Sequence, residues 1–133
     1  MFAPVLFALA QAAAPAAADA AKTPPSEEAI AAEVVAINQA LDKWKGGIYK
    51  KDGKLTCRMQ QSSGDEAVDL LRCGAMVGCY APKADELDAI AASEATEEER
   101  VAQMKAIAEE TQPCLAKAHR EGIRRLAEVR AAL

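Results

Sequence analysis

Residues 48–61 read Ile48-Tyr49-Lys50-Lys51-Asp52-Gly53-Lys54-Leu55-Thr56-Cys57-Arg58-Met59-Gln60-Gln61. Asp52-Gly53 predicts a two-residue hairpin turn, because a type I′ turn needs positive φ at both central positions and Asp and Gly tolerate it. That turn pairs Lys50 with Leu55 and Ile48 with Cys57. Successive side chains of a strand point to opposite faces, so Ile48, Leu55, Cys57 and Met59 share one face. Tyr49, Thr56 and Arg58 share the other, together with Lys51 and Lys54. No other stretch reads convincingly as strand. The expected fold is therefore mainly α: a small helical domain with one β-hairpin over residues 48–61, stapled by disulfides.

Helix signals surround the hairpin. Ser63 and Glu66 fit the capping box S-x-x-E. The helix they open carries Val68, Leu70, Leu71 and Cys73 and fades between Gly78 and Pro82. A short helix is expected over Asp85 to Ala92, with Leu87 and Ile90 facing inward. Thr96 and Glu99 make a second capping box before a long helix through Val101, Met104 and Ile107. Pro113 should kink or break that helix, since proline removes a backbone hydrogen bond and clashes with the preceding turn. Leu115, Ala118, Gly122, Leu126, Val129 and Leu133 continue an apolar stripe beyond it. Before the hairpin, Ile30, Val34, Ile37, Leu41 and Trp44 recur at steps of three and four, the mark of an amphipathic helix. Ser26 offers an N-cap oxygen, Glu27 and Glu28 suit the positive end of the helix dipole, and Gly46-Gly47 end the helix. Its stripe is expected to pack on Val101, Met104, Leu115 and Leu126.

About a quarter of the chain is alanine and only 4% is aromatic, which gives good helices but little burial. Cross-links would compensate. The four cysteines are Cys57, Cys73, Cys79 and Cys114, an even count that reads as a disulfide framework in an exported protein. Cys73 and Cys79 on one helix would lie about 9 Å apart along its axis. A disulfide needs Cα atoms within about 7 Å, which disfavours that pair. Cys57 lies on the hairpin face that the next helix must cover, which favours Cys57–Cys73 and leaves Cys79–Cys114. The crossed alternative, Cys57–Cys79 with Cys73–Cys114, stays open. Each bond would add roughly 3–4 kcal/mol on a chain-entropy account. The spacing lacks a C-x-x-C knuckle and the one histidine lies far along the chain, so no metal or cofactor is expected.

The run Cys57-Arg58-Met59-Gln60-Gln61-Ser62-Ser63-Gly64-Asp65-Glu66-Ala67-Val68-Asp69, followed by Cys73, resembles the strand–turn–helix that opens the C-terminal domain of some TonB-type energy transducers. The resemblance supports the Cys57–Cys73 pairing. It covers only this short part of the chain. The usual leucine is Val68 here, and the chain continues as helix where that domain continues into a further hairpin. The resemblance implies no transducer activity and no functional residues.

Residues 1–18 read as a secretory signal peptide. Phe2, Val5, Leu6, Phe7 and Leu9 form a short apolar run, and Ala16-Ala17-Ala18 is an A-x-A site. Cleavage is expected after Ala18, with Ala10 as the alternative. No Lys or Arg precedes the run and Pro4 shortens it, two departures that a mis-assigned start codon would explain. A disordered alanine-rich tail is the competing reading. The apolar part is far below the ~18 residues of a membrane span, so no transmembrane segment is expected in the mature form. Residues 19–25 read as a linker ending in Pro24-Pro25, and residues 26–133 as a single domain.

The net charge of −4 argues against a nucleic-acid binder. Charge is unevenly placed, and the hairpin is basic. Tyr49, Lys50, Lys51, Lys54 and Arg58 are the candidate binding residues, suited to an anionic surface or an acidic protein of the bacterial envelope. Their bland role would be a lysine-rich edge that keeps the hairpin from aggregating. No catalytic residue is assigned. Ser62-Ser63 lack the G-x-S-x-G elbow, His119 has no evident partner set, and Glu97-Glu98-Glu99 suit a helix N-terminus. The function expected is that of an exported, non-enzymatic binding protein, periplasmic or secreted. A small helical periplasmic chaperone or stress protein is one alternative, and a small hydrolase is another.

Overall fold

The computed structural model describes residues 23–133. The signal peptide expected over 1–18 lies outside the described residues, as does the expected linker up to residue 22. The order of elements is α1 (Glu27–Lys43), β1 (Lys45–Lys51), β2 (Lys54–Gln61), α2 (Glu66–Tyr80), a 3-10 turn (Ala81–Lys83), α3 (Ala84–Ala92) and α4 (Glu97–Ala131). The fold is thus mainly α, with one antiparallel hairpin and two disulfides.

The hairpin keeps the register expected of its turn, Ile48 opposite Cys57 and Lys50 opposite Leu55. Asp52 and Gly53 have φ of 52° and 76°, the paired left-handed conformation of a type I′ turn. The strands begin earlier than expected, at Lys45, so Gly46-Gly47 lie in β1 and do not end α1. Helix α1 stops instead at Lys43, where Trp44 turns to extended backbone as the C-cap. The tryptophan folds back over Gly46, where a Cβ would stand 2.6 Å from the ring and 2.4 Å from the Arg58 carbonyl oxygen. Glycine is needed there for close approach. An irregularity between Lys45 and Gly46 shifts the pairing, so that Lys45 meets Gln61 and Gly46 meets Met59.

Helix α2 starts differently from expectation. Its cap is Asp65, whose carboxylate accepts from the Ala67 and Val68 amides at 3.1 and 3.4 Å. Ser63 is buried and turned back. Its hydroxyl donates to Asp69 at 2.7 Å and accepts from the Asp65 amide at 3.1 Å. Asp65 has a further reason to be the cap: Arg130 of α4 grips both its oxygens, at 2.7 and 2.8 Å. A bidentate guanidinium–carboxylate pair fixes orientation as well as adding attraction.

Ile30 and Ile37 of α1, Val68 of α2, and Ile123 and Ala127 of α4 form the buried cluster, with Val34, Leu41, Leu71 and Leu126 packed around it. Helix α1 runs antiparallel to the C-terminal half of α4: Glu27 pairs with Arg124, while Leu41 and Trp44 lie beside His119. This geometry corrects the expectation that α1 covers Val101 and Met104, which are exposed. Met104 precedes His119 by fifteen residues, about 22 Å along the helix axis, beyond the reach of α1. Val129 is also exposed, because Ala127 and the Arg130–Asp65 pair set the rotation of the last turns, and Leu133 is exposed past the end of the helix at Ala131.

Proline does not break α4, which is continuous from Glu97 to Ala131 with Pro113 inside it. A proline in a helix interior costs about 3 kcal/mol. The helix is held on both sides of it: Thr111 and Leu115 are buried, and Cys114 is cross-linked to Cys79 of α2. The Thr96–Glu99 capping box opens α4 as expected.

Candidate functional site

The hairpin is anchored on one face only. Cys57 is bonded to Cys73 of α2 with Cα atoms 5.4 Å apart. Lys50, which shares that inward face with Ile48, Leu55 and Cys57, reaches across to pair with Asp88 of α3. The hydrogen bond to Asp88 holds the Lys50 ammonium protonated above its usual range, and the charges of Asp88 and of nearby Asp85 add to this. Lys50 is therefore not part of one continuous cation cluster with Lys51 and Lys54. Sequence alternation carried that signal, since Lys50 sits opposite Leu55.

The remaining candidates, Tyr49, Lys51, Lys54 and Arg58, share the outward face and are all exposed. The Arg58 guanidinium lies 6.0 Å from the centre of the Tyr49 ring, at the outer edge of a cation–π contact. Lys51, Lys54 and Arg58 have no carboxylate partner among the described residues. Some cations elsewhere are engaged, Lys83 by Glu86 and Glu110, Arg124 by Glu27 and Glu128, and Arg130 by Asp65, while Lys43, Lys45, Lys105, Arg120 and Arg125 are scattered without a carboxylate partner among the described residues. The outward face thus presents an aromatic ring among three uncompensated positive charges, on a strand ladder held rigid by a disulfide.

A second polar cluster, which sequence reasoning missed, joins three elements. Arg72 of α2 lies 5.3 Å from the centre of the Trp44 ring and 2.9 Å from Nε2 of His119 on α4. An arginine N–H donates, so the histidine accepts and is neutral. Burial first, and then the Arg72 charge, push the His119 pKa down. Trp44 is 8% exposed and its indole N–H is buried without a partner among the described residues, a cost of roughly 1–3 kcal/mol that the packing of the ring must offset. Only distant residues meet here, so no local motif announced it.

Ser62 and Ser63 both donate to Asp69, at 2.5 and 2.7 Å, which completes the turn into α2. These bonds hold the Asp69 carboxyl below its usual range. His119 lies elsewhere, against Arg72. All four cysteines are in disulfides, Cys79–Cys114 with Cα atoms 5.8 Å apart. No group of three or more His, Cys, Asp or Glu that could hold a metal ion occurs among the described residues. No helix among them is long and apolar enough to cross a membrane.

No family model, curated protein or solved structure matches this chain.

Proposed function

We propose that this chain is an exported, non-enzymatic binding protein of the bacterial envelope, and that the outward face of its hairpin docks an acidic surface of an envelope protein. One observation carries the reading. Tyr49, Lys51, Lys54 and Arg58 form an exposed, uncompensated cationic face on a protein of net charge −4. Such a face steers an acidic partner and sets the rate of association. The two disulfides support an oxidising compartment.

The test is site-directed photo-crosslinking in intact envelopes. A crosslinking residue at position 49 or 54 should capture a discrete product that is lost at high salt, because exposed charges are screened within about 10 Å at 0.1 M ionic strength. The same residue at Gln103, exposed on α4, should capture none. Equal capture from both faces, or capture indifferent to salt, would refute the reading.

A further inference from the structure

Arg72 of α2 is a half-buried cation whose partners are an imidazole and an indole. No carboxylate pairs with it among the described residues. Its Nη1 lies 2.9 Å from Nε2 and 3.4 Å from Nδ1 of His119. An arginine only donates, so one of those ring nitrogens must offer a lone pair. Neutral imidazole has one such nitrogen and imidazolium has none. A proton on His119 therefore removes the acceptor and sets two positive charges at hydrogen-bond distance. Arginine stays charged throughout, so one of the two side chains has to move.

The surroundings decide which. His119 is fixed on α4 beside the buried Ile123. Arg72 has a long side chain and borders a cavity of about 270 Å³ that Asp42 of α1 also lines. The charged groups around His119 are Arg72 from α2, Asp42 from α1, and Arg120 and Arg124 from its own helix. The hairpin adds none to the lining of this cavity. Tyr80 of α2 also acts on Arg72. Asp42 is the carboxylate of this set. It is exposed and makes no ion pair among the described residues, so it is free to receive a released guanidinium.

What Arg72 leaves behind is Trp44. The indole is packed by that guanidinium, 5.3 Å from its centre, and by the backbone of Gly46. Trp44 is the C-cap of α1 and the last residue before β1. We propose that protonation of His119 expels Arg72 from Trp44 toward Asp42, so that acid unseats the indole and loosens the junction between α1 and the hairpin while the helices stay folded. The inference does not rest on the docking reading.

Trp44 is the sole tryptophan, so its fluorescence reports on the junction directly. The oxidised protein is titrated from about pH 8 to about pH 5, the range in which histidine changes charge. Emission maximum, quenching by acrylamide, far-ultraviolet circular dichroism and the His119 imidazole resonances are followed together. Emission should move to the red and quenching should rise in step with the imidazole signal. The midpoint should lie below about 6.5, because burial and then the Arg72 charge oppose the proton. The circular dichroism should not change. His119→Gln offers Arg72 an amide oxygen that does not titrate, and it should lose the step. Arg72→Gln should raise the imidazole midpoint and lose the step as well. Asp42→Asn, at an exposed position, should keep the step and move it to lower pH. Emission that stays constant through the imidazole titration would overturn the proposal. So would a step that survives in His119→Gln, or an Asp42→Asn midpoint no lower than that of the wild type. A step that coincides with loss of the helical signal would also overturn it, since that is unfolding and not a local release.

Discussion

Asp65 serves two structures at once, as the N-cap of α2 and as the carboxylate held by Arg130. Replacing a capping Asp by Ala costs about 0.5–2 kcal/mol, and here the half-buried Arg130 would also lose its partner. Asp65→Ala should therefore cost more than Ser63→Ala, the reverse of what a Ser63 cap would give, and denaturant melts of both variants decide this. The Arg130 hydrogen bond first, then the helix amides, hold the Asp65 pKa below its ordinary value. Its contribution is complete above the unfolded carboxylate value and is lost as pH falls through the folded one. His119 acts in the same direction at higher pH. Its folded pKa lies below the unfolded value of about 6.5, so the unfolded chain binds the proton more readily and stability falls as pH drops below that value. His119→Gln should flatten the stability profile between about pH 7 and 5. An unchanged slope would mean that the Arg72–His119 contact does not report on folding.

Gly46 shows how one position shapes an element. A Cβ there would collide with both the Trp44 ring and the Arg58 carbonyl, so Gly46→Ala should destabilise by about 1–3 kcal/mol, the scale of overpacking. Gly47→Ala has open space around its Cβ and should cost less, as thermal melts of the pair would show. The sequence made the hairpin legible because Asp52-Gly53 fixes a turn, and a turn fixes every pair beyond it. The Thr96–Glu99 box was legible for a similar local reason. What escaped was decided at a distance. Gly46-Gly47 look like a helix stop until the tryptophan returns over them. Ser63 looks like a cap until Asp65 meets an arginine sixty-five residues later. Pro113 looks like a break until Cys114 is tied to α2. Lys50 joins a basic cluster when charge is read along the chain, although the strand alternation places it on the other face.

The molecule combines a small apolar cluster with two cross-links that tie α2 to both the hairpin and α4. Ile37 is fully buried at 0% exposure, and Ile37→Ala should cost about 2–5 kcal/mol. Loss of Cys73 by Cys73→Ser should cost a similar 2–5 kcal/mol, and it should free the hairpin from α2 while leaving the α1–α4 packing in place. Amide exchange would show this as loss of protection confined to residues 45–61. Carboxylates in Asp65–Arg130 and Glu27–Arg124 both have lowered pKa values, so acidification should loosen several helix contacts together. A chaperone or stress protein would bind an apolar dye in that range while keeping its far-ultraviolet circular dichroism. The docking account does not require this. It requires that the two faces of the hairpin do different work. The most direct measurement compares salt-sensitive capture by a crosslinker at position 49 in two backgrounds. Lys51→Glu, Lys54→Glu and Arg58→Glu together should abolish capture, while Lys50→Ala should leave it intact. Capture that survives the triple reversal, or that is lost with Lys50 alone, would contradict the assignment of the outward face as the docking surface.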